Sequence, residues 1–385
     1  MGRPSATRGA RQAVKLLYAF PEPLPLPRAR GFQVVQTVRA LAEQGVGVDL
    51  CHVPGIGDPF GACDLLKPEN VVLTPLSRSL PWPLDGIHSN RIFATHLARH
   101  IGAHPPAAIM ARHLKIAQFL LEKVETIPLL YEAHEVFADT ATESRRAQMA
   151  SLEASVVKCA QTVVANSRAT ADRLRDLYGL ARNIEVIPNG VNYHTLIPEK
   201  DWSLSAERIV YAGSFFGWKG VDDLVAAASE LRGLRITLLG GEDEGIRRLR
   251  SQATADGAQL EFTGRVSPRR VAEALEQACI AVLPNRNDPD SVFTSPIKLF
   301  EYMAAGCAIV ASDLPSIREI LAEDDAVWFR SGDPHSLAAG LRRLSSDPEL
   351  ARSLAARVHA KARQYTWIAR ANKLCDVLQA APVPT

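Results

Sequence analysis

The run Ser295-Pro-Ile-Lys-Leu-Phe-Glu-Tyr-Met-Ala-Ala-Gly306 sets one carboxylate, Glu301, and one amine, Lys298, in an otherwise apolar helical pattern. A helix N-terminus gathers unpaired backbone N–H groups and a partial positive charge, which suits phosphate. A carboxylate about one turn further on can accept hydrogen bonds from two sugar hydroxyls. Phosphate at the helix start and hydroxyls at Glu301 describe a pocket for a nucleotide sugar. The plainer alternative is a surface helix with a chance glutamate.

Two further candidates follow short apolar runs that read as strands. In open α/β sheets, ligands lie beyond the carboxyl ends of parallel strands. After residues 209–212 comes Gly213-Ser-Phe-Phe-Gly-Trp-Lys219-Gly220. Its glycines permit a tight loop and close backbone approach, and Lys219 can neutralise a diphosphate. After residues 128–132 come Ala133, His134 and Glu135. A histidine at the carboxyl end of a strand is placed to meet substrate, although a lone histidine is more often structural. The flanking Glu132 and Glu135 read as carboxylates that either could leave in solvent.

Glu301-Tyr-Met-Ala-Ala-Gly306, with the strand after it, resembles the donor-site signature of the family-4 glycosyltransferases of GT-B fold. Lys219-Gly220 is similar to that family's phosphate-binding segment, and Ile187-Pro-Asn-Gly190 to its interdomain segment. The resemblance implies an α/β fold of two doubly wound Rossmann-like domains facing a central cleft. It implies a retaining, metal-independent hexosyltransferase that uses a nucleoside-diphosphate sugar and no other cofactor. The acceptor would be a glycan or lipid-linked hydroxyl in polysaccharide or glycolipid assembly. His134 would reach the donor sugar, and Lys219 would stabilise the departing diphosphate. Glu301, Ser214, Ser295, Lys298 and the backbone near Val266 would hold the donor. No carboxylate is well placed as a nucleophile, so the resemblance favours attack on the face the diphosphate leaves.

The chain also departs from the family pattern. Ser214 stands where an arginine is common, five residues before Lys219, and Phe293 stands where a second acid is common. Ser295-Pro-Ile-Lys298 looks like a variant of the acidic loop. Lys298 then either supplies missing positive charge or points to water. Many relatives have two adjacent glycines after the first strand, where this chain has Pro23-Leu-Pro-Leu-Pro-Arg-Ala-Arg-Gly31. Gly31 could admit close backbone approach. Arg28 and Arg30 could meet phosphate or an anionic lipid acceptor, or form a solvated basic loop. Two rivals remain: a sugar-nucleotide epimerase on the same fold, which would need more acids and bases around the sugar, and a non-catalytic nucleotide-sugar-binding subunit, which Ser214 and Phe293 favour while Lys219 and His134 oppose it.

At 385 residues the chain exceeds one comfortable core. A net charge of +2 argues against nucleic acid as partner. Residues 1–196 carry 21 Lys and Arg against 17 Asp and Glu, a mild excess compatible with an anionic membrane surface. The six cysteines show no metal-ligand spacing and read as buried free thiols of a reducing compartment. No apolar run approaches the roughly 20 residues of a membrane span. These features predict a cytoplasmic protein, peripheral at the inner face of the membrane, with a disordered basic tail of about a dozen residues.

The elements that must position these residues are legible as two alternating series. Strands are predicted at 14–18, 46–52, 107–110, 128–132, 162–165 and 184–188, then at 209–212, 235–239, 260–263, 280–283, 308–311 and 326–329. Helices are predicted at 32–44 and, capped by Ser267 and Pro268, through residue 279. Such alternation means parallel sheets. The expected division is an acceptor domain at 1–198, a nucleotide-sugar domain at 199–365, and a helix at 366–385 crossing back to the first domain.

Overall fold

A computed structural model describes residues 15–80, 88–181, 183–288, 293 and 295–380. The expected basic tail, residue 14 of the first expected strand, and residues 381–385 of the expected last helix lie outside them.

Strands β1 (Lys15–Leu24), β2 (Gly47–Pro54), β3 (Val71–Pro75), β4 (Ala108–Ala111), β5 (Leu129–Ala133), β6 (Thr162–Ala165) and β7 (Glu185–Val186) form one sheet. Its order is β3-β2-β1-β4-β5-β6-β7. Strands β8 (Ile209–Ala212), β9 (Arg235–Leu239), β10 (Gln259–Gly264), β11 (Ile280–Leu283), β12 (Ala308–Ser312) and β13 (Val327–Phe329) form a second, ordered β10-β9-β8-β11-β12-β13. The second sheet is parallel throughout. In each sheet the strand order reverses beside its first strand, which is the doubly wound pattern.

The second sheet shows why its strands read as continuous apolar runs. Ile209, Tyr211, Ile280, Val282, Ala308 and Val310 pack on one face against the helices Val221–Ala228 and Pro334–Ser346. Val210, Ala212, Ala281, Leu283, Ile309 and Ala311 pack on the other, against the helices Pro268–Gln277, Ile297–Ala304 and Pro348–Ala362. Alternate residues face opposite cores, so both must be apolar.

Three expectations are corrected. Strand β3 was not anticipated; its apolar run is only Val71-Val-Leu73 before Thr74-Pro75, and it is an edge strand with Val72 57% exposed. The helix capped by Ser267 ends at Gln277, and Ala278 is already extended. Of the cysteines only Cys51, Cys279 and Cys307 are buried, while Cys159 is exposed.

By internal contacts the chain forms two compact units. One holds Met1–Tyr131, Ser155–Thr162 and Ala371–Thr385, the other Glu132–Ala154 and Val163–Arg370. The last helix, Trp367–Ala380, begins in the second unit, and from Ala371 its residues belong to the first. Among the described residues no helix is long and apolar enough to cross a membrane.

Candidate functional site

Strands β8 and β11 pair only at Ile209↔Ile280 and Val210↔Ala281. Beyond Val210, backbone groups of β8 need other partners. The phenol of Tyr302, on the helix Ile297–Ala304, accepts from the Ala212 N–H at 2.9 Å and donates to the Ala212 carbonyl at 3.4 Å. The helix carrying Glu301 is thereby fastened to the end of β8, where the strand order reverses.

Lys298 does not point to water. It is 9% exposed, and its Nζ donates to the Tyr211 hydroxyl at 3.0 Å, 4.3 Å from the ring centre. Tyr211 in turn donates to the Ser214 carbonyl at 2.7 Å. A Cβ built on Gly213 would lie 2.6 Å from Lys298 Nζ, so the amine sits directly under the loop that follows β8. Burial, and then the charge of Lys219, hold the Lys298 ammonium well below the usual lysine range, with Glu301 opposing. Burial pushes the Glu301 carboxyl up to about 7, with Lys298 opposing. Both groups are displaced toward their neutral forms, although each favours charge on the other.

Lys219 ends the short 3-10 turn Gly217–Lys219, its ammonium 3.5 Å from the Trp218 ring centre. The next residue must be glycine. Gly220 has φ +67°, and a Cβ there would fall 1.7 Å from the Pro284 carbonyl oxygen. The Trp218 carbonyl accepts from the Arg286 N–H at 2.9 Å, which ties this turn to the segment after β11.

Ser295 is buried. Its hydroxyl accepts from the Asn189 N–H at 3.2 Å, and its carbonyl accepts from the Asn189 side-chain amide at 2.8 Å. The Oδ1 atoms of Asn189 and Asn285 are buried without a hydrogen-bond partner among the described residues. Val266 packs against the second core, and the Phe293 carbonyl accepts from the Thr170 hydroxyl at 3.2 Å.

His134 follows β5 and is not isolated: its Nε2 lies 2.8 Å from Glu132 Oε1. Glu132 is not solvated, as the sequence allowed, but 1% exposed and paired with buried Arg370. Arg370 also donates to the carbonyls of Ile187 and Pro188, at 2.7 and 2.9 Å. Asn166 donates to the His134 carbonyl at 3.0 Å. The imidazole is thus held beside a charge-compensated carboxylate. Glu135 accepts from the Thr140 hydroxyl at 3.0 Å.

In the first unit, Arg28 is exposed at the start of the helix Ala29–Glu43. Arg30 is engaged by Glu22 through contacts of 2.6 and 2.5 Å. Gly31 is explained by its own loop, because a Cβ there would lie 2.5 Å from the Leu26 carbonyl oxygen. Among the described residues Asp49, Cys51 and His100 group ligand-type atoms within 4.8 Å. Asp49 already accepts from Thr74 at 2.6 Å and meets His100 Nε2 at 2.7 Å, hydrogen-bond spacings that need no ion.

The strongest residues of the pattern, Lys219, Lys298 and Glu301, thus interact electrostatically at one strand end. Sequence reading missed Tyr211, Tyr302, Asn189, Asn285 and Arg370. The tyrosines and Arg370 have core-like positions in strand or helix, and only the fold reveals what their polar ends touch.

Residues 31–195 match the family model described as Glycosyltransferase Family 4, and residues 206–347 the one described as Glycosyl transferases group 1. The chain belongs to the family-4 glycosyltransferases. Among its relatives, the D-inositol 3-phosphate glycosyltransferase of Kineococcus radiotolerans is 27% identical over 263 residues, 60% of this chain and 59% of that protein. The phosphatidyl-myo-inositol mannosyltransferase of Mycolicibacterium smegmatis is 30% identical over 47% of this chain and 48% of its own length. The chain therefore spans roughly half to three fifths of these two curated relatives. A GDP-mannose-dependent alpha-(1-6)-phosphatidylinositol dimannoside mannosyltransferase of Mycobacterium tuberculosis is 27% identical over 68% of this chain and 69% of its own. Sucrose-phosphate synthase from Thermosynechococcus elongatus superposes with a TM-score of 0.77 at 19% identity, over 95% of this chain and 98% of that one. Anabaena HepE in complex with UDP gives 0.74 at 15%, over 95% and 100%. The fold is GT-B.

Proposed function

We propose that this family-4 glycosyltransferase moves a hexosyl group from a nucleoside-diphosphate sugar to an acceptor hydroxyl, in polysaccharide or glycolipid assembly. The observation that carries this reading is the Lys298 amine beneath the loop that leads from β8 to Lys219, on the same short helix as Glu301, where the strand order reverses. Glu301 takes ribose hydroxyls. Lys219 and Lys298 meet the diphosphate, aided by N–H groups at the start of the helix Ile297–Ala304 and by Ser295 and the backbone at Ser214. The backbone near Val266 meets the base, and His134 meets the transferred sugar. The acceptor oxygen attacks the anomeric carbon as the bond to the diphosphate breaks. The acceptor proton passes to a diphosphate oxygen on the same face, with retention and without a metal ion. Residues 1–198, with Arg28 and Gly31, serve the acceptor, and residues 199–365 serve the donor. The helix within 366–385 crosses back to the first domain.

The names of the relatives motivate GDP-mannose as first donor and inositol phosphate and phosphatidylinositol as first acceptors, and UDP-glucose, with which Anabaena HepE has also been solved, is a second donor to try. Incubation of each pair with EDTA, followed by NMR of the product anomer, tests the reading. A new glycoside of the donor's configuration is expected. An epimerised free sugar nucleotide would favour the epimerase, and donor binding without transfer or hydrolysis the non-catalytic subunit. Activity that EDTA abolishes and a divalent ion restores would overturn metal independence.

A further inference from the structure

We propose that Tyr211 is a positioning residue for the diphosphate: its hydroxyl joins the Lys298 amine to the phosphate-loop backbone at Ser214, so that the two act as one unit. The inference rests on the donor-site reading above and deepens it.

Three observations carry it. Tyr211 lies on β8 with its ring wholly in the core, yet its hydroxyl sits between two polar partners, accepting from Lys298 Nζ at 3.0 Å and donating to the Ser214 carbonyl at 2.7 Å. A Cβ on Gly213 would lie 2.6 Å from Lys298 Nζ and 3.0 Å from the Tyr211 hydroxyl, so the amine underlies the loop leading to Lys219. Position 214 supplies a carbonyl to this chain of contacts, and serine brings no cation of its own. A cation from the neighbouring helix is thus delivered beneath the loop, and the phenol fixes the loop relative to it.

Among the described residues the charged and titratable groups facing Lys298 are Lys219, Glu301 and the Tyr211 phenol. Burial and Lys219 disfavour the Lys298 ammonium in the free protein, so a diphosphate that stabilises the ammonium shifts the amine toward its protonated form. A nucleoside, which presents no diphosphate, draws no proton to Lys298. Ribose hydroxyls favour ionised Glu301, so that group releases a proton to the buffer with either ligand. The difference between the two ligands holds the proton of Lys298 and that of the terminal phosphate, and its change in Lys298→Met isolates the lysine.

The test is isothermal calorimetry of the whole chain with UDP, GDP, uridine and guanosine, in buffers of different ionisation enthalpy. Wild-type protein, Tyr211→Phe, Lys298→Met and the double variant are compared after circular dichroism shows them folded. Diphosphate affinity should fall about tenfold in each single variant, and nucleoside affinity less than twofold. The double variant should lose little more than either single one, because the two residues act together. Proton uptake by diphosphate, relative to its nucleoside, should be smaller in Lys298→Met than in wild type, a comparison that remains informative should Tyr211→Phe not fold. Equal losses for nucleoside and diphosphate, additive losses in the double variant, or unchanged proton uptake in Lys298→Met would overturn the inference and leave the donor-site reading standing. Wild-type protein that binds neither diphosphate would overturn both.

Discussion

Glu301 and His134 carry the sharpest expectations at the scale of single residues. The Glu301 carboxyl is raised from its ordinary 4.5 to about 7 by burial. Between those values the native protein keeps a proton that the unfolded chain has lost, so this group lowers stability as pH rises through the window. Glu301→Gln should therefore stabilise the protein at pH 8, by about 1–3 kcal/mol, with the gain gone near pH 4. Denaturant melts at the two pH values measure it. The same change should weaken nucleoside binding by about 1–3 kcal/mol, the scale of a hydrogen bond to a charged group. Wild-type affinity should climb as pH rises through about 7, because hydroxyl donors select the carboxylate, and the variant should be flat there. A variant more stable yet weaker in binding marks a residue kept for function; unchanged nucleoside binding would remove Glu301 from the site. His134→Ala should lower kcat on the order of 10–100-fold with little change in donor affinity, if its contact strengthens as the sugar gains positive character. Wild-type kcat in the folded variant would leave His134 a structural role beside Glu132.

The elements that place these residues are the part most legible in the sequence. Strands β8, β9 and β11 fall at their expected residues because each is short, wholly or mostly apolar and bounded by polar turns. The edge strand β3 escaped because its apolar run, Val71-Val-Leu73, is three residues long and stops at Thr74-Pro75. How β8 is finished was not legible, since a tyrosine in a helix announces only bulk and apolarity. Tyr302→Phe keeps that bulk and leaves the buried Ala212 N–H without the phenol oxygen. It should cost about 1–3 kcal/mol in a denaturant melt, and a loss below a few tenths would mean that Ala212 finds another partner. Gly220→Ala should cost about 2–4 kcal/mol, from the left-handed backbone and the collision with Pro284 together. The glycine was read from sequence as permitting close approach, and the approaching group is Pro284 of the same chain.

At the scale of the whole molecule, two alternating series of strands and helices sufficed to indicate two doubly wound sheets, because the period of each segment reports what covers it. Long-range pairings were not legible: Arg370 lies 238 residues from Glu132, and neither residue signals the other. The charge pattern needed the structure most. The positive excess of residues 1–196 suggested an anionic surface, with Arg28 and Arg30 at its centre, but Glu22 cancels Arg30 locally. If the protein docks on anionic lipid, Arg28 contributes a full exposed charge and the Arg30–Glu22 pair almost none. Sedimentation with vesicles of phosphatidylserine and phosphatidylcholine should then show binding that weakens as salt shortens the Debye length. Arg28→Ala should cost about 1 kcal/mol, roughly a fivefold loss. Removing Arg30 and Glu22 together, a change with no net charge, should leave binding as it was. Equal binding to phosphatidylcholine alone, indifference to salt, or a larger loss from the neutral pair than from Arg28 would show that attraction to lipid charge does not bring this protein to a membrane.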